Sequence, residues 1–189
     1  MKKYVVCTML VLLLGLCGCG EIRELDVDEF TDGMIINSDG SVDGIIAGIF
    51  DKDYYSLEDL TSMLADELED YDGASILDSS YNESDGGVSV TIHFNDIDSY
   101  NNYMGVSDFY GTFDEALLSD LIKQDMLVST KNGSLVTLDS NFNNKYGDYH
   151  VLITKDNMNI YTYSKVVFMD ENASLINNDK REVNLSETD

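Results

Sequence analysis

Apolar and polar positions change period several times along the chain, and each change marks an element. Leu57, Leu60, Leu64 and Leu68 recur at helical spacing behind Ser56-Leu57-Glu58-Asp59, a serine N-cap with an acid three residues on. With Gly73 as a stop, this pattern predicts a helix over residues 57–71. Val88, Val90, Ile92 and Phe94 then alternate with Ser89, Thr91 and His93, the period of a one-sided strand. Its expected partner is a strand over 74–81, reached across 82–87. Thr112-Phe113-Asp114-Glu115 repeats the capping pattern and opens a helix with Phe113, Ala116, Leu117 and Leu121 on one face.

Turn chemistry adds hairpins. Apolar runs at 33–36 and 42–46 flank Asn37-Ser38-Asp39-Gly40-Ser41, and runs at 126–130 and 135–138 flank Asn132-Gly133. Asp-Gly and Asn-Gly pairs favour type I′ turns, whose two central residues both need positive φ. Another hairpin is expected between 149–154 and 160–169, and a weak one between 173–176 and 182–185. The asparagine-rich stretch 139–148 reads as a loop or a joint. Hairpins with helices between them make the expected class α+β, an antiparallel sheet with two main helices packed on it.

The first nineteen residues read as an address. Lys2 and Lys3 precede an apolar stretch over 5–16, shorter than the roughly 20 residues a spanning helix needs. It matches the hydrophobic region of a secretory signal. Leu16-Cys17-Gly18-Cys19 resembles the lipobox of bacterial lipoproteins, with Cys17 unusual in the middle slot. The resemblance implies cleavage before Cys19, diacylation of Cys19 and a place on the extracytoplasmic side of the cell membrane. The expected plan is a signal over 1–18, an acidic tether over 19–29 and a single α+β domain over 30–189. Two subdomains meeting near 105–112 or 139–148 are the alternative. Cys7 and Cys17 would leave with the signal, so no disulfide framework, thiolate nucleophile or cysteine zinc site remains.

Charge narrows the partners. Among 189 residues, 36 acids face 11 bases, a formal charge of -25, while 43% hydrophobic residues suffice for a folded core. That sign excludes nucleic acid, whose affinity comes from Lys and Arg on phosphates. It also disfavours unaided binding to an anionic membrane. The stretches FDKDYYSLEDL (50–60) and FYGTFDEAL (109–117) are similar to small uncharacterised lipoproteins of anaerobic Gram-positive bacteria, over most of the mature chain. That resemblance implies location and carries no activity.

Chemistry is sparse. Phosphate-loop, dinucleotide, zincin and serine-hydrolase motifs are all missing, so no cofactor is expected. His93 and His150 are the only histidines, and 36 acids make any carboxylate pair near them uninformative. Asp39 and Asp43 fit the first half of a calcium loop, but Phe50 stands where that loop needs a bidentate Glu, and the hairpin explains them more simply. The helix at 57–71 ends in Asp66, Glu67, Glu69 and Asp70 without a base, against the helix dipole. This cluster is a candidate for a cation or basic partner, and a solvated acidic face is the simpler reading. Tyr100, Tyr103, Phe109 and Tyr110 are the candidate binding patch, although the Tyr100/Tyr103 spacing and Phe113 also suit a core. The expected function is a lipid-anchored, non-catalytic module that binds a protein, peptide or ligand, a cationic one among the candidates. An envelope hydrolase using a histidine with carboxylates, or a surface spacer, are the rivals.

Overall fold

The computed structural model describes residues 10–14, 25–122, 125–176 and 181–185. The fold is α+β. It divides into two compact units. The first holds Glu21–Val106 and Met158–Tyr163; the second holds Ser107–Asn157, Ser164–Asp189 and strand β1 (Leu10–Leu14).

In the first unit, β2 (Gly33–Ile36), β3 (Val42–Ile49), β4 (Ala74–Asn82), β5 (Gly87–Phe94) and β10 (Asn159–Thr162) form a sheet in the order β10-β2-β3-β5-β4. β2 and β3 make the first expected hairpin, with Ile36 opposite Val42. Its turn is not type I′, because only Gly40 takes positive φ, at 92°. The five-residue connection lets one left-handed glycine reverse the chain, closed by the Asn37 N–H on the Ser41 carbonyl at 3.0 Å. The β4–β5 hairpin also forms, with a bulge between Ile76 and Asp78. Val88, Val90, Ile92 and Phe94 are buried as the alternation predicts, but Ser89 is buried as well, so β5 is less one-sided than its pattern.

Helix α1 (Leu57–Leu68) starts where expected, with the Asp59 N–H donating to the Ser56 hydroxyl at 3.3 Å. It stops short of residue 71. The Tyr71 N–H donates to the Leu68 carbonyl at 3.0 Å, tightening the exit before Gly73 at φ 82°. Helix α2 (Ile97–Met104) is an element that the sequence analysis does not assign, although Tyr100 and Tyr103 sit at helical spacing. Asp96 caps it by accepting the Ser99 N–H at 2.8 Å, and Gly105 ends it at φ 70°. It sets Tyr100 edge-on to Phe94 at 5.4 Å, above Gly44, where a Cβ would come within 3.2 Å of the tyrosine ring.

The second unit is built on β6 (Phe109–Thr112), β7 (Met126–Ser129), β8 (Leu135–Thr137), β9 (His150–Thr154) and β11 (Val166–Met169), in the order β6-β9-β1-β11-β7-β8. The β7–β8 hairpin forms, again with the glycine alone at positive φ: Gly133 at 69°. Helix α3 (Phe113–Leu118) carries the full capping box, the Glu115 N–H on the Thr112 hydroxyl at 3.2 Å and the Thr112 N–H on the Glu115 carboxylate at 2.8 Å. The stretch 139–148, expected as loop or joint, is instead helix α4 (Ser140–Tyr146), capped by Asp139. It brings Phe142 onto Phe113 and Phe168 at 5.5 and 5.0 Å, in a core completed by Ala116, Leu127 and Val151. β12 (Ala173–Leu175) and β13 (Glu182–Leu185) make the last hairpin.

One expected hairpin is wrong. The run at 160–169 is two strands, β10 and β11, split by Tyr163-Ser164-Lys165. β10 lies parallel to β2 in the first unit, while β9 pairs antiparallel with β6. All four residues of β10 are buried, which suits a strand covered on both faces rather than one arm of a hairpin. Within residues 25–176 the chain passes between units at Val106/Ser107, Asn157/Met158 and Tyr163/Ser164.

β1 raises a separate point. It lies inside the stretch read as the signal's hydrophobic region, yet it pairs antiparallel with both β9 and β11. Cys19 and most of the tether lie outside the described residues. Among the described residues, no helix is long and apolar enough to cross a membrane.

Candidate functional site

The site candidate lies in the first unit, and it follows from how α1 sits. The four leucines of its stripe should all be covered, but only Leu68 is buried. Leu57, Leu60 and Leu64 are half-covered, and Met63 beside them is 59% exposed. Along the first half of α1, between the helix and the ends of β3 and β5, runs an apolar groove of about 570 Å³. Ile46, Val88 and Val90 form its sheet wall, and Leu60, Met63 and Leu64 its helix wall. Gly48 lies in it without a side chain; a Cβ there would meet only Val88, at 3.7 Å. Ile49 (72% exposed) and Tyr54 (74% exposed) rim it. The volume is in the range of small-molecule sites, and the polar side chains lining it are few: Ser56, Asp59 and Ser89.

An aromatic corner closes one end. Phe50 lies 5.5 Å from Tyr55 and 5.6 Å from Tyr81, and Tyr54 stands edge-on to Tyr55 at 4.9 Å. The Phe50 N–H donates to the Gly86 carbonyl at 2.8 Å, tying this corner to the β4–β5 turn. Gly86 takes φ 77°, and a Cβ there would lie 2.9 Å from the Phe50 carbonyl oxygen, so glycine is required for the approach.

The residues named from the sequence fare differently. Tyr100 and Tyr103 belong to the first unit, Phe109 and Tyr110 to the second. Tyr100 is core. Tyr103 packs on Tyr71 and Phe94, and burial, then the nearby Glu67, raises its pKa. Phe109 packs against the second core, and Tyr110 stacks on His150 at 5.3 Å, its pKa raised by burial. Tyr103, Phe109 and Tyr110 are half-buried.

Asp39 and Asp43 do not converge as ligands. Asp39 accepts from the Ser41 hydroxyl at 2.7 Å, which with the Ser41 amide lowers its pKa. Asp43 is buried, with one oxygen 2.6 Å from His93 Nδ1 and the other accepting from Asn37 at 2.9 Å. No group of three or more metal-ligating side chains occurs among the described residues. Asp66, Glu67, Glu69 and Asp70 are all exposed, with no base in the last turn of α1.

The two histidines are likewise divided between the units. His93 is in the first unit and His150 in the second. Strand register sets Asp43 opposite His93 on one side and Ser75 opposite it on the other, a row of three polar residues across the sheet. The imidazole proton lies on Nδ1, since a carboxylate only accepts. Among the described residues no hydrogen bond joins Ser75 to His93, while the Asp43–His93 contact crosses from β3 to β5. The Nδ1 of His150 is buried without a hydrogen-bond partner.

In the second unit, Asp108 is pushed up to about 6, first by burial, with Asp156 adding to it and a hydrogen bond from Thr154 opposing.

The sequence reading missed the groove. FDKDYYSLEDL holds its aromatic corner and the start of α1, but nothing local says that the leucine stripe stays half-covered. Comparison with protein-family models, with curated proteins and with solved structures finds no match for this chain.

Proposed function

We propose that this protein is a non-catalytic binding module, held on the extracytoplasmic face of the cell membrane by acylation of Cys19, and that its ligand site is the apolar groove of the first unit. The groove carries the reading. Exposed Ile49, Tyr54 and Met63 cost free energy in water at roughly 25 cal/mol per Å² of apolar surface, a cost that a ligand would offset. A surface spacer gains nothing from such a cleft. The anchor rests on Leu16-Cys17-Gly18-Cys19 and the apolar stretch before it.

A neutral environment-sensitive dye, Nile red, tests the groove. It brightens and shifts to the blue on binding, and Gly48→Leu, which fills the space with no backbone penalty, removes the signal. A signal unchanged in that variant places the dye elsewhere and overturns the reading. For the anchor, Cys19→Ala accumulates unprocessed and takes up no fatty-acid label. The hydrolase alternative draws on the Asp43–His93–Ser75 row. Labelling by a fluorophosphonate that disappears in Ser75→Ala would favour it.

A further inference from the structure

The groove's chemistry narrows its occupant, and this inference rests on the groove being the binding site. We propose that it takes a single-chain amphiphile with an alkylammonium head, the tail along α1 and the head among Phe50, Tyr54 and Tyr55 beside Asp59.

The tail follows from the walls. A peptide laid in the groove would bury backbone N–H and C=O groups, each needing a partner. The sheet wall offers them little, since β5 is paired on both sides, by β3 and β4, and beyond Ile45 the outer edge of β3 has its Ala47 N–H on the Asp32 carboxylate at 2.8 Å. A hydrocarbon chain makes no such demand.

The head follows from charge. Asp59 is the one ionisable carboxylate lining the groove, and no Lys or Arg lines it. The nearest lysine in sequence, Lys52, is engaged by Asp51 at 2.9 Å. The start of α1 carries about half a positive charge, which Glu58 and Asp59 in its first turn outweigh. An anionic head would therefore meet net repulsion. The ring faces of the aromatic corner attract a cation within about 6 Å, and alkylated ammonium heads, weakly hydrated, suit such a cluster best. Aromatic rings and one carboxylate lining an apolar trough suit a cationic amphiphile.

Calorimetric titration of the full chain, below micelle formation, decides it with three probes of one tail: decyltrimethylammonium, decyl maltoside and decyl sulfate. Decyltrimethylammonium is expected to bind about tenfold more tightly than decyl maltoside, with decyl sulfate the weakest. Asp59→Asn weakens the cationic probe several-fold and leaves decyl maltoside unchanged. Gly48→Leu removes both, and Met63→Glu is the second block should that variant fail to fold. Equal affinity for decyl maltoside and decyltrimethylammonium overturns the head-group inference while leaving the groove. Binding of neither probe brings down the groove reading itself. Cation binding that survives both blocks is adsorption to an acidic surface, and it too overturns the proposal.

Discussion

Two glycines on the same strand show how much one side chain decides. Gly44 lies beneath Tyr100 and Phe94, where a Cβ would come within 3.2 and 3.4 Å of ring carbons. Gly48, four residues on, meets only Val88 at 3.7 Å. Gly44→Ala is therefore expected to lower stability by about 1–3 kcal/mol, the usual cost of overpacking, in denaturant melts. Gly48→Leu should leave the midpoint unchanged or raise it. Asp108 makes the residue-scale case for pH. Burial holds its folded pKa near 6 against an ordinary 3.8, so the folded state keeps the proton that the unfolded state has already lost. Stability from this group is undiminished below about pH 4, falls as pH rises to about 6, and stays low above that. Asp108→Asn should match the wild type at pH 3.5 and melt higher at pH 7. Parallel melting curves at both pH values would remove the burial argument.

Among the elements, what was legible in sequence was what is encoded locally. Ser56 and Thr112 cap α1 and α3 because a hydroxyl three residues before a free N–H satisfies it whatever packs nearby. Helices α2 and α4 carry the same signals, Asp96 with Gly105 and Asp139 with the Phe142/Tyr146 spacing, but tyrosine and asparagine content masked them. Turn type was misread for a related reason: an Asp-Gly or Asn-Gly pair marks a reversal, while loop length decides whether both residues or only the glycine go left-handed. The acidic end of α1 yields a prediction at this scale. Glu69→Lys removes a like charge and sets a cation at the helix C-terminus, and should raise stability by about 0.3–1 kcal/mol at low salt. The same change at Asp53, outside the helix, gives the baseline; an equal gain there would show only relief of net charge.

At the scale of the whole molecule, the pairing of strand β1 bears on the proposed cleavage before Cys19. It pairs with β9 on one side and β11 on the other, so cleavage before Cys19 would take away a strand that both neighbours use. Amide hydrogen exchange measures this directly. Amides of β9 and β11 should exchange faster in the processed chain than in the Cys19→Ala precursor, while those of β3 and β5 are unchanged. Equal protection in β9 and β11 would mean that these strands find other partners once β1 is gone.

From sequence alone came the α+β class, the hairpins β2–β3, β4–β5, β7–β8 and β12–β13, and both capped helices, because each depends on residues close together along the chain. The anchor expectation is local in the same way, a short string of residue types ahead of Cys19. Only the tertiary structure decided that β10 leaves its neighbours in sequence to lie against β2, and that the aromatic stretch at 100–113 is shared between two units. It alone decided that α1 covers its leucine stripe incompletely. The groove is the product of that last outcome. Periodicity says which face of a helix is apolar; how far that face closes on the sheet is set by Gly48, by the Phe50–Gly86 contact and by where β4 and β5 end, and none of these is local to the helix.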